Sequence, residues 1–263
     1  MAGLTVCCVA SADPEPSLFA LSRCLDILPG VPIKFFVSEP PKALSHEIQT
    51  VKIPRFSSVA GYSDFILADL VRHIDTSHVL IVQWDGFPLD RRAWRDEFLD
   101  FDYIGAPWPQ FADEFAVGNG GFSLRSKALL EAMATDRVTR HPPEDLCICR
   151  TNRQTLETVF GLRFAPRELA MRFSFERLWP KAPTYGFHGL FNFPDALPDC
   201  YDDLIRSFPS GNFANRDARD LVLRLCSSGG RRDRDLARWV LRRHMRNQPF
   251  AVREWWPAVR ACL

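Results

Sequence analysis

The stretch SHVLIVQWDGF, residues 77–87, decides the fold class. Its first half is a continuous apolar, β-branched run with no alternation, the pattern of a strand buried on both faces of a parallel sheet. Its second half breaks into an Asp-Gly turn, so the strand ends just before Asp85. Working outward, LTVCCVA (4–10) is another buried strand closed by Ser and Pro punctuation. Residues 17–28 place Leu18, Leu21, Leu25 and Leu28 at helical spacing, Pro29-Gly30 stops that helix, and IKFFV (33–37) resumes a strand. A short strand is expected over 49–53, followed by a helix over 61–74 with Phe65, Ile66, Leu70 and Ile74 on one face. Strands alternating with helices imply an α/β domain with a doubly wound sheet, and such sheets bind ligands beyond the carboxyl ends of their strands. Residues 83–87 therefore lie where a ligand is expected.

Downstream, the pattern predicts a short helix over 91–99 and a glycine-rich segment, GNGG (118–121), entering a helix over 126–134. Pro142-Pro143-Glu144-Asp145 opens a helix that runs to Gly161, since prolines and acids belong in a first turn. Short strand-like pieces follow over 162–165, 171–175 and 184–187. Past residue 200 the chain turns helical and basic: residues 201–263 hold 13 Arg against 7 Asp/Glu, leaving 20 basic against 25 acidic residues before them. The expected division is an α/β domain over 1–200 and a basic helical appendage over 201–263. The start, MAGLTVCCVASADPEP, lacks a basic n-region, and Asp13 and Pro14 break its apolar run too early for a signal peptide or a membrane span. A cytoplasmic protein with free, mostly buried thiols is the expectation for the eight cysteines, and the CxC of Cys147 and Cys149 has no second pair at zinc-site spacing.

Asp85, a few residues past a buried strand, is a candidate ligand for Mg²⁺ or Mn²⁺, since a hard cation takes oxygen ligands and neutralises a leaving diphosphate. A turn-forming Asp-Gly is the competing explanation. His188, flanked by Gly186 and Gly189, is a second candidate ligand, and a satisfied, partly buried histidine is its plain alternative. Glu144-Asp145 at a helix start offers a carboxylate to accept a hydroxyl proton, or simply a cap. GNGG is neither a Walker A nor a GxGxxG loop, so nucleotide hydrolysis and dinucleotide binding are disfavoured. Its glycines would instead let backbone approach a sugar or phosphate. Trp84, Tyr103 and Trp108 are candidates to stack on a sugar or base, or to pack in the core.

The segments YSDFILADL (62–70), HVLIVQWDGFPLD (78–90), WRDEFLDFDYIGAPWP (94–109), VGNGGFSLRS (117–126), PEDLCICR (143–150) and YGFHGLFNFP (185–194) together resemble the DUF5672 family of bacterial and fungal proteins, a GT-A-like glycosyltransferase group. The resemblance spans residues 4–195 and implies a mixed, mostly parallel sheet flanked by helices. By analogy with GT-A enzymes, Asp85 matches the last Asp of a DxD motif, His188 the late metal ligand, and Asp145 the base of a Glu-Asp pair. Gln83 stands where the first Asp would be; an amide hydrogen-bonds a ribose or a metal-bound water but supplies no charge. The same analogy places the donor, a nucleotide sugar of the UDP type, near Val9, Ala10, Ser11, Tyr62, Gln83 and Trp84, with Glu144 or Gly120-Gly121 positioning the acceptor.

The resemblance implies a metal-dependent transfer of sugar to a hydroxyl of a glycan or lipid-linked glycan, inverting with Asp145 as base; retention remains open. A catalytically silent glycan- or partner-binding module is the alternative, motivated by Gln83 and the basic appendage. A nucleotidyltransferase is disfavoured because the first strand lacks a glycine- and Lys/Arg-rich loop. Arginines 231, 232, 234, 238, 242, 243 and 246, followed by Trp255-Trp256, fit peripheral contact with an anionic membrane or a solvated helix face. Nucleic acid is not expected, since the rest of the chain is net acidic.

Overall fold

The computed structural model describes residues 3–56 and 58–247, together with Trp255, Trp256 and Arg260. The chain separates into two compact units, Met1–His188 and Gly189–Leu263. In the first, the strands expected from the apolar runs form as β1 (Leu4–Val9), β2 (Ile33–Val37), β3 (Ile48–Lys52) and β4 (His78–Val82). Helix α1 (Ser17–Ile27) joins β1 to β2; α2 (Val59–Asp64), continued by a π turn (Phe65–Asp69) and a 3-10 turn (Leu70–His73), joins β3 to β4. Then come β5 (Gly86–Pro88), β6 (Tyr103–Ile104), β7 (Ser123–Ser126), α3 (Lys127–Met133), α4 (Glu144–Leu146), α5 (Arg153–Phe160), α6 (Arg167–Phe173), β8 (Ser174–Phe175) and β9 (Gly186–His188).

The main sheet has the order β3-β2-β1-β4-β7-β6. β1 to β4 run parallel, and β7 is antiparallel to both β4 and β6. This is the mixed, mostly parallel sheet flanked by helices that the sequence predicts. Strand periodicity explains why its central strands are apolar throughout. Leu4, Val6 and Cys8 of β1 and Leu80 and Val82 of β4 pack on one face with α1 and α6, through Leu21, Cys24 and Phe173. Cys7, Val9, Val79 and Ile81 pack on the other with Phe65, Ile66 and Leu70. A second, three-stranded sheet, β5-β9-β8, lies where the chain leaves β4.

Four expectations need correction. The helix over 91–99 is two 3-10 turns (Arg91–Ala93 and Asp96–Asp100) split by extended Trp94 and Arg95. The Trp94 ring packs edge-on against Phe98 and Tyr185, and that tertiary packing overrides helical propensity. The helix expected from Pro142 to Gly161 is α4 plus a π turn (Cys147–Thr151), broken at Asn152, whose amide donates to Thr139 O and Cys147 O. The strand over 162–165 reduces to a single bridge from Phe164 to Tyr103. The one over 171–175 is mostly α6, with only Ser174 and Phe175 in β8.

The second unit contains α7 (Phe193–Ala196), α8 (Tyr201–Ser207), α9 (Arg216–Ser227) and α10 (Arg231–Asn247). α9 and α10 pack together, burying Leu221, Val222 and Leu225 on one and Leu236, Ala237 and Val240 on the other. Trp255 is buried and stacked on His244, whereas Trp256 is exposed, as are arginines 231, 232, 234, 238, 242 and 246. Among the described residues no helix is long and apolar enough to cross a membrane. Five of seven described cysteines are buried free thiols, and Cys262 lies outside the described residues.

Candidate active site

β4 ends at Val82, and the next residues make a tight hairpin: Gln83 N donates to Gly86 O at 2.8 Å and Gly86 N to Gln83 O at 3.1 Å. Trp84 and Asp85 sit at its tip. β5 then pairs antiparallel with β9, with Gly86 opposite His188. That register brings a histidine from the end of the unit beside Asp85: His188 Nε2 lies 3.6 Å from Asp85 Oδ1. Its other ring nitrogen, Nδ1, lies 3.2 Å from Glu176 Oε1. Glu176 directly follows β8, which pairs with β9, so the small sheet gathers all three side chains. Asn119 Nδ2 stands 3.2 Å from the same Nδ1 and also hydrogen-bonds Glu176. With the proton on Nδ1, that nitrogen donates to Glu176 and the lone pair lies on Nε2.

Asp85 is 5% exposed, and its Oδ1 has no hydrogen-bond partner, the Nε2 distance being too long for one. A buried oxygen in that state costs about 1–3 kcal/mol or more for a charged group unless a ligand satisfies it. Burial opposes a proton on His188, but the Asp85 carboxylate, and then Glu176, outweigh it and hold the ring well above the ordinary histidine pKa. Burial pushes the Glu176 carboxyl up, yet its hydrogen bond to His188 wins and holds it below the usual value. Negative surroundings that favour a proton between these groups also favour a divalent cation. Among the described residues no three His, Cys, Asp or Glu side chains form a complete metal-binding set. Asp85 Oδ1 and His188 Nε2, with Glu176 behind the ring, nevertheless fit a cation that completes its shell with substrate oxygens.

Across from the hairpin, residues 118–121 lead into β7. Asn119 adopts φ 71°, a left-handed conformation that asparagine tolerates better than most residues, and its Oδ1 accepts from Gly121 N at 3.0 Å. The glycines line the cavity and also leave room for neighbouring side chains. A Cβ on Gly121 would meet His188 Nε2 at 2.0 Å, and one on Gly120 would meet Glu144 Oε1 at 2.0 Å. Beneath the loop, Arg125 is fully buried and donates through Nη2 to Glu144 Oε1 at 3.1 Å. Burial works against the Arg125 charge, but the surrounding Tyr103 and Glu144 raise its pKa. Burial likewise pushes the Glu144 carboxyl up, opposed by Arg125. Asp145 differs: Oδ2 accepts from Gly120 N at 3.2 Å, Oδ1 from Leu146 N at 2.8 Å, and the carboxylate stays half-exposed.

Tyr62, Gln83, Gly120, Gly121, Glu144, Asp145 and His188, all singled out in the sequence, line one cavity of about 340 Å³. Gln83 Nε2 donates to Tyr62 OH at 3.0 Å. Asp85 sits against its wall through His188. Trp108 also lines the cavity, but Tyr103 is wholly buried, its OH donating to Asn119 O, so it packs and does not stack on a ligand. Trp84, half-buried at the hairpin tip, is not among the lining residues. Val9, Ala10 and Ser11 end β1 outside this cavity; Ala10 N donates to Phe36 O, and Ser11 Oγ accepts from Phe56 N. Sequence reasoning missed Glu176 and Arg125 as partners of the site, and Asn119 as its brace. Only Asn119 carried a local signal, a side chain capable of left-handed backbone between glycines.

The DUF5672 family model, described as a protein of unknown function, matches residues 45–188, more than half of the chain. The chain belongs to the DUF5672 family. Every residue of the cavity falls within that matched span. A comparison with curated protein sequences found no match. Among solved structures, this DUF5672 chain is similar to an active-site mutant of LgtC at 14% identity and a TM-score of 0.42, covering 77% of this chain and 94% of that one. It is also similar to the mannosyltransferase PcManGT from Pyrobaculum calidifontis, in complex with GDP-Man and Mn2+, at 11% identity and a TM-score of 0.45, covering 98% and 73%.

Proposed function

We propose that this protein is a metal-dependent glycosyltransferase of the GT-A type, moving a sugar from a nucleotide-diphosphate donor to a hydroxyl acceptor with inversion. One observation carries the reading: the buried Asp85 Oδ1, which accepts no hydrogen bond, faces His188 Nε2 at the carboxyl end of the central strand, beside a cavity that presents Asp145. Asp85 and His188 would hold Mn²⁺ or Mg²⁺, which when bound neutralises the donor diphosphate and eases its departure. Glu176 keeps the proton on His188 Nδ1 and so turns Nε2 toward the ligand side. Tyr62 and Gln83, tied to each other, face the donor on one wall, with residues 9–11 toward its nucleotide end. Asp145 is the base. Both its oxygens are fixed by backbone N–H groups, so it is aimed without a side-chain partner and accepts the acceptor's hydroxyl proton as that oxygen attacks the anomeric carbon. Glu144 cannot share that role, because Arg125 engages it beneath the loop; it positions residues 118–121.

Thermal unfolding of the whole protein with a panel of nucleotide sugars, with and without Mn²⁺, tests this. A ligand that binds the folded state raises the midpoint, and the rise should require metal. No rise with any UDP- or GDP-sugar would sink the proposal, and the anomeric configuration of product by NMR separates inversion from retention. A silent binding module is the second reading, favoured by one observation: Gln83 is neutral and spends its amide on Tyr62. Donor hydrolysis by purified protein with Mn²⁺ decides against it. Peripheral contact of α10 with an anionic membrane, through its exposed arginines and Trp256, is also part of the proposal. Sedimentation with phosphatidylglycerol vesicles at low salt tests it, and a protein that stays in the supernatant ends it.

A further inference from the structure

A second cavity in the first unit, of about 550 Å³, shares no residue with the site above and opens between α6 and residues 178–182. That volume falls among ordinary small-molecule sites, about 300–1,000 Å³. Trp179 lines it and is 56% exposed, which is unusual for an indole in a concavity. Its position is braced: it meets Phe175 of β8 edge-on, centroids 5.5 Å apart, and Phe175 packs on Phe187 of β9. Arg167, Arg172 and Lys181 surround it, all exposed, and none has an ion-pair partner among the described residues. Glu168 is the one acidic lining group, so three cations stand against one carboxylate.

We propose that this cavity binds an acidic saccharide, a pyranose carrying a carboxylate, as the part of the acceptor remote from the reacting hydroxyl. The inference rests on the transferase reading for that role, not for the binding itself. A braced indole that is more than half exposed suits the flat apolar side of a sugar ring. Planar guanidinium groups pair with a carboxylate bidentately, and Arg167 and Arg172, from the first and last turns of α6, bring two of them to the cavity. A neutral sugar would leave the cations unused. A membrane surface would call for a projecting patch, whereas this one is concave.

Calorimetric titration of the full chain with trigalacturonate, neutral galactotriose and tri-aspartate tests the idea. Trigalacturonate should bind at least tenfold more tightly than either other probe. Trp179→Ala should weaken it at least tenfold and Trp179→Phe less, with an unchanged unfolding midpoint; Arg172→Gln should weaken it and flatten its salt dependence. Equal binding of tri-aspartate, no binding of trigalacturonate, or wild-type affinity in Trp179→Ala would overturn the proposal. So would phosphatidylglycerol vesicles that sediment wild type but not Trp179→Ala, which would give the surface to lipid. Nucleotide-sugar binding, measured separately on wild type, keeps the two readings apart: donor without trigalacturonate ends this inference alone, and trigalacturonate without donor ends only the transferase.

Discussion

The two ends of the central sheet carry the same kinds of residue in opposite states. At the amino end of β4, Asp102 accepts from Ser126 Oγ at 2.5 Å through one oxygen and from Arg163 N at 2.7 Å through the other. Beside it, His78 has Nδ1 3.2 Å from Ser77 Oγ and Nε2 3.3 Å from Phe101 O. At the carboxyl end, Asp85 is buried with an oxygen that accepts no hydrogen bond, and His188 is pulled between two carboxylates. An aspartate and a histidine that answer all their own hydrogen-bonding needs hold a fold together. A pair that cannot do so is arranged for something that arrives from outside. Changes at the carboxyl end should therefore remove activity and spare stability, and changes at the amino end should do the reverse.

The largest effect is expected from Asp85→Ala: turnover falls roughly a thousandfold, about 4 kcal/mol of transition-state stabilisation, while the thermal midpoint holds or rises. A lower midpoint with Mn²⁺-dependent turnover intact would put Asp85 with the structural group and break the contrast. Asp145→Asn comes next. It keeps the shape and the acceptor for Gly120 N but takes no proton, so kcat should fall about a hundredfold or more with donor binding retained in a separate titration. Loss of donor binding instead would give Asp145 a different role.

How much of this was legible in the sequence follows from what is local. The parallel strands were plain because both faces of β1 and β4 are covered, which leaves an uninterrupted apolar signature. Asp85 could be placed because strand end and turn are adjacent in sequence. The partnership of Asp85 with His188 could not be derived from spacing, since it depends on β5 pairing with β9 in one register. Glu176 was invisible for the same reason, since only the pairing of β8 with β9 brings it to His188. The division of labour within Glu144-Asp145 needed the buried Arg125, which takes one carboxylate and leaves the other facing the cavity. The glycines of residues 118–121 suggest room for a ligand, and only the structure shows that His188 and Glu144 also stand where a side chain would be.

At the amino end, Asp102→Ala removes two hydrogen bonds made by a charged acceptor and should lower stability by about 2 kcal/mol in a denaturant titration. Activity per folded molecule should match wild type. A variant that is as stable as wild type but slow would show that the two ends are coupled, and the simple contrast would fail.

The smallest effect, and the one that sharpens the comparison most, concerns His78. Burial holds its pKa below the ordinary 6.5, only partly offset by the Phe101 carbonyl. Its neutral form is therefore the one the folded state prefers, and the unfolded chain binds the proton more readily. Its contribution to stability is complete above about pH 6.5 and is lost as pH falls from there through the lower folded value. His78→Gln keeps a hydrogen-bonding side chain without that titration. Between pH 7 and pH 5 wild type should lose stability more steeply than the variant, and their difference cancels the other histidines common to both. Parallel curves would mean that His78 reaches solvent as readily folded as unfolded. A steeper curve for the variant would reverse the sign and place His78 with the ligand-seeking groups at the other end of the strand.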